Sequence, residues 1–435
     1  MISGRSRAAC AARSAAFTFV PGPPRLSRTV YQTDQTAPEP IGPVPGSERI
    51  TAIDCLRGAA LLGILIANMR GFNAPLAAYM QPRLLWTWLP DQIAQAVVDW
   101  LVSGKFITIF AALFGVGFAI QMDRAMARGL GVRFYMRRML ALLLIGLVHG
   151  LVFWWGDILM PYAVCGFFLP LFRKRSQRTV LVWAHIMYWF LVVLFAGFYI
   201  ATLFGLKPPD DGDTVANMQK AIQAYSQGTL HEVFTVRARE WAQANGFILI
   251  LTRVLGIFLF GLYVWRQGYL QRPSEHLDWW RKAQRYGLVI GLIGNAVVVM
   301  LDWMYNPHPM RPTLLVVFMV ALQSFVVPAL SLGYSATIIL LWQSADWQRR
   351  LMSFSYVGRM ALTNYLTQSI ICTTIFYSYG LGLYGRVGPL LDLFLALAIY
   401  SLQVPFSKWW LSTHRYGPME WVWRRMTYGR LISVP

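Results

Sequence analysis

Apolar residues in this chain come in long blocks separated by short polar stretches. Ten blocks stand out, at roughly 55–73, 97–121, 139–155, 157–172, 180–205, 246–265, 286–303, 314–341, 355–377 and 389–411. Most are about 17–25 residues long, the length that carries a helix across a bilayer core. Core strands and helices of soluble proteins do not repeat such blocks. The pattern predicts an all-α fold, a polytopic membrane helix bundle with about ten transmembrane helices. Blocks three and four are separated only by Trp154-Trp155-Gly156-Asp157, so they should form a helical hairpin. Block eight is long and contains Pro328, which predicts a kink or a tilt.

The polar connections test the count independently. One set carries Arg124, Arg128, Arg133, Arg137 and Arg138, then Arg173, Lys174, Arg175 and Arg178, and continues with Arg266, Arg272, Arg281, Lys282 and Arg285. It ends with Arg349 and Arg350, then Lys408, Arg415, Arg424, Arg425 and Arg430. The alternate connections are poor in basic residues apart from the long one that holds Lys207, Lys220, Arg237 and Arg239. Basic excess on every second connection marks the cytoplasmic side, which places both termini there. That long outer segment, about 206–245, has enough helical pattern for one or two short surface helices. The run His276-Leu277-Asp278-Trp279-Trp280-Arg281-Lys282 reads as an interfacial anchor.

Composition strengthens the membrane reading. Hydrophobic residues make up 56% of the 435 positions and charged ones 13%, against about a quarter charged in soluble domains. The net charge of +20 lies between apolar blocks, as orientation signals do, and not along a phosphate-tracking surface, so no nucleic-acid partner is expected. Cys10, Cys55, Cys165 and Cys372 are far apart and show no metal-ligand spacing, so no metal site and no disulfide framework are expected. Residues 1–47 alternate Arg with Ala, Ser and Pro, and read as a disordered cytoplasmic tail. Residues 48–435 read as a single membrane domain.

Ionisable side chains inside a bilayer are costly and tend to mark sites. Asp54 and Arg57 stand three apart at the start of the first span, on one helical face. Asn68 follows 11 residues after Arg57, about 16 Å further along a helix. Lys105 in the second span could neutralise Asp99 or Asp157. His149 precedes Asp157 by eight residues across the tight hairpin, and a carboxylate beside a histidine can orient it as a general base. Arg253 sits a few residues inside the sixth span and could meet Asp157, Asp302 or a polar substrate. Arg359, Thr363, Asn364, Thr367 and Gln368 form a polar stripe on the ninth, which interhelical hydrogen bonding would also explain. Glu420, among Trp409, Trp410, Trp421 and Trp423, could answer Arg57 or Arg359. A cytoplasmic cluster (Asp54, Arg57, Arg359, Glu420) thus faces an outer cluster (Asn68, Lys105, His149, Asp157, Arg253). That layout suits a protein that takes something at one face and delivers it at the other.

Several of these residues lie in recognisable motifs. The stretch Tyr356-Val357-Gly358-Arg359-Met360-Ala361-Leu362-Thr363-Asn364-Tyr365-Leu366-Thr367-Gln368-Ser369 resembles the signature of the YeiB-like, domain-of-unknown-function 418 (DUF418) family. Tyr416-Gly417-Pro418-Met419-Glu420-Trp421-Val422-Trp423-Arg424 is similar to that family's closing motif. Ile53-Asp54-Cys55-Leu56-Arg57-Gly58 and the hairpin from His149-Gly150 to Gly156-Asp157-Ile158-Leu159 also match. The likeness runs from about residue 48 to the end, with the most characteristic part at about 250–430. It implies a multi-pass protein of the bacterial inner membrane.

The Asp-x-x-Arg-Gly opening also resembles the wider transmembrane acyltransferase superfamily, including heparan-glucosaminide N-acetyltransferase-like proteins. Those carry an acyl group from cytoplasmic acyl-CoA to a sugar across the membrane. By that resemblance, acyl-CoA is the expected donor substrate, no cofactor is tightly bound, and a glycan or lipid is the expected acceptor. Where many members of the acyltransferase-3 branch place a catalytic histidine, eleven residues after the first-span arginine, this chain has Asn68. The expected assignment is therefore His149 as base, Asp157 as its orienter, Arg57 and Arg359 toward the donor, and Asn68 and Arg253 toward the acceptor. Asp54, Lys105, Asn364, Gln368 and Glu420 complete the expected binding set. The competing expectation is a transporter or efflux protein whose polar residues line a solute path.

Overall fold

The computed structural model describes residues 50–127, 129, 131–206, 214–246, 250–307, 311 and 313–429. The tail predicted at 1–47 lies outside them. The described residues all belong to one compact unit spanning 43–435. They form α1 (Thr51–Asn73), α2 (Leu76–Met80), α3 (Leu89–Leu101), α4 (Lys105–Ala127), α5 (Gly131–Val148), α6 (Leu159–Phe168), α7 (Gln177–Leu203) and α8 (Thr214–Gln227). They continue with α9 (Leu230–Gly246), α10 (Ile250–Arg266), α11 (Leu277–Tyr305), α12 (Leu314–Leu341), α13 (Ala345–Arg359), α14 (Ala361–Phe376), α15 (Pro389–Thr413) and α16 (Pro418–Tyr428). No strand occurs among the described residues, so the fold is an all-α helix bundle.

Seven helical stretches are long and apolar enough to cross a membrane: 51–73, 89–127, 131–153, 177–203, 273–305, 314–341 and 389–413. The shorter helical stretches 159–172, 250–266 and 361–376 occupy the three remaining expected blocks. The two helices α8 and α9 fill the long outer connection. Side chains such as Val182, Ile186, Phe190 and Val193 on α7, or Val289 and Ile293 on α11, stay exposed, as an apolar belt facing lipid would. Burial separates centre from rim: 67% of the apolar window of α1 is enclosed, against 6% for α7. The first span is therefore the core around which α4, α13, α14 and α15 pack.

The central crossing depends on glycine. A Cβ on Gly58 would stand 1.9 Å from the Phe354 carbonyl oxygen, and one on Gly358 would stand 1.9 Å from that of Asp54. Only bare backbones let α1 and α13 approach so closely. The Asp-x-x-Arg-Gly opening thus combines a charge pair with a packing glycine.

Two predicted blocks are broken. The second is interrupted at residues 102–104, where Gly104 adopts φ +82°. There the Lys105 ammonium donates to the Asp99 carbonyl oxygen (2.6 Å), satisfying a carbonyl at the end of α3. The ninth is interrupted at Met360, so α13 ends and α14 begins again at the face that the basic connections assign to the cytoplasm. Both breaks lie inside longer apolar blocks, so block length alone does not show them.

Candidate functional site

The hairpin between α5 and α6 carries the main polar constellation. A single π turn, His149–Phe153, closes α5, with the Trp154 N–H donating to the His149 carbonyl (3.0 Å). Such turns insert one residue and re-aim a side chain. The hairpin is pinned from outside the turn, since the Trp154 indole N–H donates to the Gly71 carbonyl of α1 (2.8 Å).

The turn sets His149 between a carboxylate and a hydroxyl. Its Nδ1 lies 2.7 Å from Asp157 Oδ1, and its Nε2 lies 2.8 Å from Ser369 Oγ on α14. Asp157 is fixed in turn, because its Oδ2 accepts the Met160 N–H (2.7 Å). A carboxylate only accepts, so the proton between the two belongs on Nδ1. In the neutral imidazole Nε2 is then an acceptor and the Ser369 hydroxyl donates to it. The side chains of His149 and Asp157 are 1% and 0% exposed, and Ser369 is fully buried. Tyr365, one turn before Ser369, lies with its ring 5.1 Å from the imidazole, and its hydroxyl accepts the Ile158 N–H (3.3 Å). The expected pair of His149 and Asp157 is therefore in contact. The arrangement orders a base, holds one tautomer, and presents a hydroxyl for deprotonation.

The other expected outer residues go elsewhere. Lys105, 1% exposed, meets the backbone oxygen of Asp99, not the carboxylate of Asp99 or Asp157, because it caps α3. Asp99 is held by Gln95 (2.9 Å), Ser103 (2.7 Å) and Arg70 (3.4 Å). Arg253 donates to the Tyr188 hydroxyl on α7 (3.1 Å), while Asp302 pairs with Arg83 (3.8 Å). Asn68 is half-buried on α1. A second histidine within a span, His185, is exposed on α7 and bonds the Leu181 carbonyl (2.8 Å).

At the opposite face Asp54 and Arg57 form the expected pair (3.1 Å), with Asp54 buried and Arg57 28% exposed. Arg359 is the last residue of α13. Glu420 caps α14: it accepts from the N–H groups of Leu362 (2.7 Å) and Thr363 (3.2 Å) and from the Thr363 hydroxyl (2.5 Å). Burial pushes its carboxyl above the usual carboxylate range, and these donors oppose that shift. Arg138 lies over the Trp423 ring at 3.5 Å, and Trp423 donates back to the Arg138 carbonyl (3.0 Å). Asn364 bonds Ser407 (3.0 Å) and Gln368 bonds Gln403 (2.8 Å), so the polar stripe knits α14 to α15.

Sequence reading missed four participants. Ser369 stood at the end of a quoted motif, and its register with Tyr365, four residues earlier on one face, was the available signal. Arg138 looked like an orientation charge. Asp392, buried one turn into α15, has an oxygen without a partner beside a small cavity that Arg70 and Gln95 also line. Glu240 on α9 accepts from the Leu76 N–H and the Tyr225 hydroxyl (2.8 Å each); burial raises its carboxyl to about 7. Among the described residues no group of three or more His, Cys, Asp or Glu is placed to hold a metal.

Residues 264–430 match the family model described as a protein of unknown function (DUF418). The chain is 34% identical over 408 residues to the uncharacterized protein YxaH of Bacillus subtilis, covering 89% of this chain and 96% of that one. It is 30% identical over 399 residues to the uncharacterized protein YeiB of Escherichia coli (87% and 96%). A 39.9 kDa protein from the amylase 3′ region of Bacillus acidopullulyticus is 30% identical over 406 residues (91% and 98%). With relatives matched over nearly their whole length and the family signature placed on α10 to α16, this chain belongs to the YeiB-like DUF418 family of helical membrane proteins.

Proposed function

We propose that the protein is a membrane acyltransferase of the bacterial inner membrane, taking an acyl group from a cytoplasmic acyl-CoA and passing it to an acceptor at the outer side. The observation that carries this reading is the Asp157–His149–Ser369 relay. Ser369 Oγ attacks the thioester carbonyl while its proton moves to His149 Nε2. The tetrahedral intermediate collapses, the carbon–sulfur bond breaks, and the departing thiolate takes that proton. An acceptor hydroxyl or amine then attacks the acyl-serine, giving its proton to His149, which returns it to Ser369. Asp157 holds the imidazole in the productive tautomer and stabilises the imidazolium. Burial of all three side chains keeps water away from the acyl-serine.

The donor side fits a phosphate-bearing molecule. Arg57 and Arg138 lie on the face rich in basic residues, Arg57 part-exposed, and guanidinium groups suit phosphate recognition. Ser369 lies nine residues after Met360, about 13 Å along α14, a depth that a flexible thioester arm reaches. Incubation of the purified protein in nanodiscs with labelled acyl-CoA tests the reading. An acyl adduct on Ser369, absent in His149→Ala, is expected; no adduct and no transfer would remove it.

Asp392 favours a second reading, solute transport. A buried intramembrane carboxylate with a free oxygen beside a small cavity that Arg70 and Gln95 also line suits a coupling-ion or proton site. Solute flux in proteoliposomes that Asp392→Asn abolishes, without chemical turnover, would favour it over acyl transfer.

A further inference from the structure

Helix α9 presses one face against the π turn that begins with His149. Arg237 and Trp241, four residues apart, share that face. Arg237 is 5% exposed, and its Nε donates to the Leu151 carbonyl (2.8 Å). Its Nη1 is buried and has no hydrogen-bond partner. The Trp241 indole nitrogen is also buried without a partner. It stands so close to Gly150 that a Cβ there would lie 2.3 Å away. Gly150, the residue after His149, thus lets the Trp241 indole nitrogen pack against the turn. The hydroxyls of Tyr377 and Tyr384 are buried and unpartnered as well; the Tyr384 ring stacks on Tyr225 and the Tyr377 ring is tilted against it, each at 4.6 Å. The Tyr377 hydroxyl lies within electrostatic reach of Arg237.

Every one of these four vacant groups can donate a hydrogen bond. The acid nearest in sequence on that face, Glu240, already accepts from Leu76 and Tyr225, and no ion pair to Arg237 appears among the described residues. A buried guanidinium without an anion is costly, and buried donors are almost always satisfied. We infer that Arg237 and Trp241 form a recognition site for an anionic oxygen group, a phosphate or carboxylate, on a molecule that enters from the outer face. Guanidinium and indole N–H present donors and no acceptor, so they select an anion over a neutral sugar hydroxyl. Identifying that molecule with the acyl acceptor rests on the acyl-transfer reading; anion binding itself does not. The anion is either a free sugar phosphate or the headgroup of an anionic lipid.

The experiment is a binding titration without acyl donor, on the full-length protein in nanodiscs. Glycerol 3-phosphate and acetate are the soluble probes, and phosphatidylglycerol against phosphatidylcholine discs are the lipid arm. Saturable binding of a soluble probe, or selective thermal stabilisation by phosphatidylglycerol, is expected; which arm responds tells free anion from headgroup. Arg237→Gln should weaken the response at least about tenfold, the loss of one charge-assisted contact. Trp241→Phe keeps the ring and removes only the N–H, so it guards against misfolding and should weaken the response about threefold to tenfold. Ser369→Ala should bind the anion normally, which separates this site from the transfer chemistry. No response in any arm, or an unchanged response in both Arg237→Gln and Trp241→Phe, would overturn the proposal and leave the vacant donors to water.

Discussion

The start and the middle of α14 treat polar groups in opposite ways. At its start Glu420 accepts two backbone N–H groups and one hydroxyl, and the nearby Arg138 is stacked on Trp423. Two turns further on, Ser369 joins His149 and Asp157 in a buried chain. The first arrangement leaves the capping carboxylate no proton to move. The second holds a hydroxyl against a base whose tautomer is fixed, so a proton can travel without rebuilding the structure. One motif therefore meets two kinds of partner: Glu420 accepts from fixed backbone N–H groups, whereas Ser369 meets an imidazole that can take or give a proton.

That contrast breaks most readily at the relay. His149→Ala and Ser369→Ala should each lower acyl transfer by about 10³-fold or more with helical content unchanged, measured with labelled acyl-CoA. Asp157→Asn should cost about 10²–10⁴-fold, because the tautomer is no longer held. Full activity in any of the three would rule out proton transfer at the middle of α14.

Gly58→Val tests the crossing beneath both sites. The added carbons meet the Phe354 carbonyl, and the expected loss of stability is about 3 kcal/mol or more, beyond ordinary overpacking because backbone cannot yield. Thermal unfolding in detergent reads it. At the capped end, Glu420→Ala should cost about 1–3 kcal/mol by orphaning the N–H groups of Leu362 and Thr363. Turnover per folded molecule should stay unchanged; a collapse in turnover with normal stability would reverse the assignment of Glu420 as a structural cap.

A pH-dependent effect concerns the outer helices. Burial holds Glu240 at about 7 against an ordinary 4.5, so the folded form keeps the proton more firmly than the unfolded one. Its contribution is full below about 4.5, declines as pH rises through the window to 7, and levels off above it. The change amounts to about 3 kcal/mol. Protease resistance of α8 and α9 should fall across that window, and Glu240→Gln should flatten the dependence. A flat profile in the unaltered protein would contradict it.

Much of this fold is written in block length. An apolar run long enough to cross a bilayer leaves little choice of element, so helices appear where the blocks predicted them. The breaks at 102–104 and at Met360 escaped because a cap by Lys105 and a restart under Glu420 depend on contacts between elements. The site was half legible. His149 and Asp157 are close in sequence across a tight turn, so their contact follows from local geometry. Ser369 lies 220 positions from His149, and only the packing of α14 on the hairpin reveals the partnership. Lys105 and Arg253 misled for a physical reason. A buried cation needs an acceptor, and here a carbonyl and a tyrosine hydroxyl stand where a carboxylate was expected.

Acyl transfer through Ser369, governed by His149 and Asp157, requires a covalent acyl-serine. Mass spectrometry of the tryptic peptide bearing Ser369, after rapid acid quench of protein mixed with acetyl-CoA, tests it most directly. The account predicts an acetyl mass increment on Ser369 that is absent in His149→Ala and disappears when acceptor is added. Transfer that proceeds at the normal rate in Ser369→Ala, with no adduct in the unaltered protein, would contradict it.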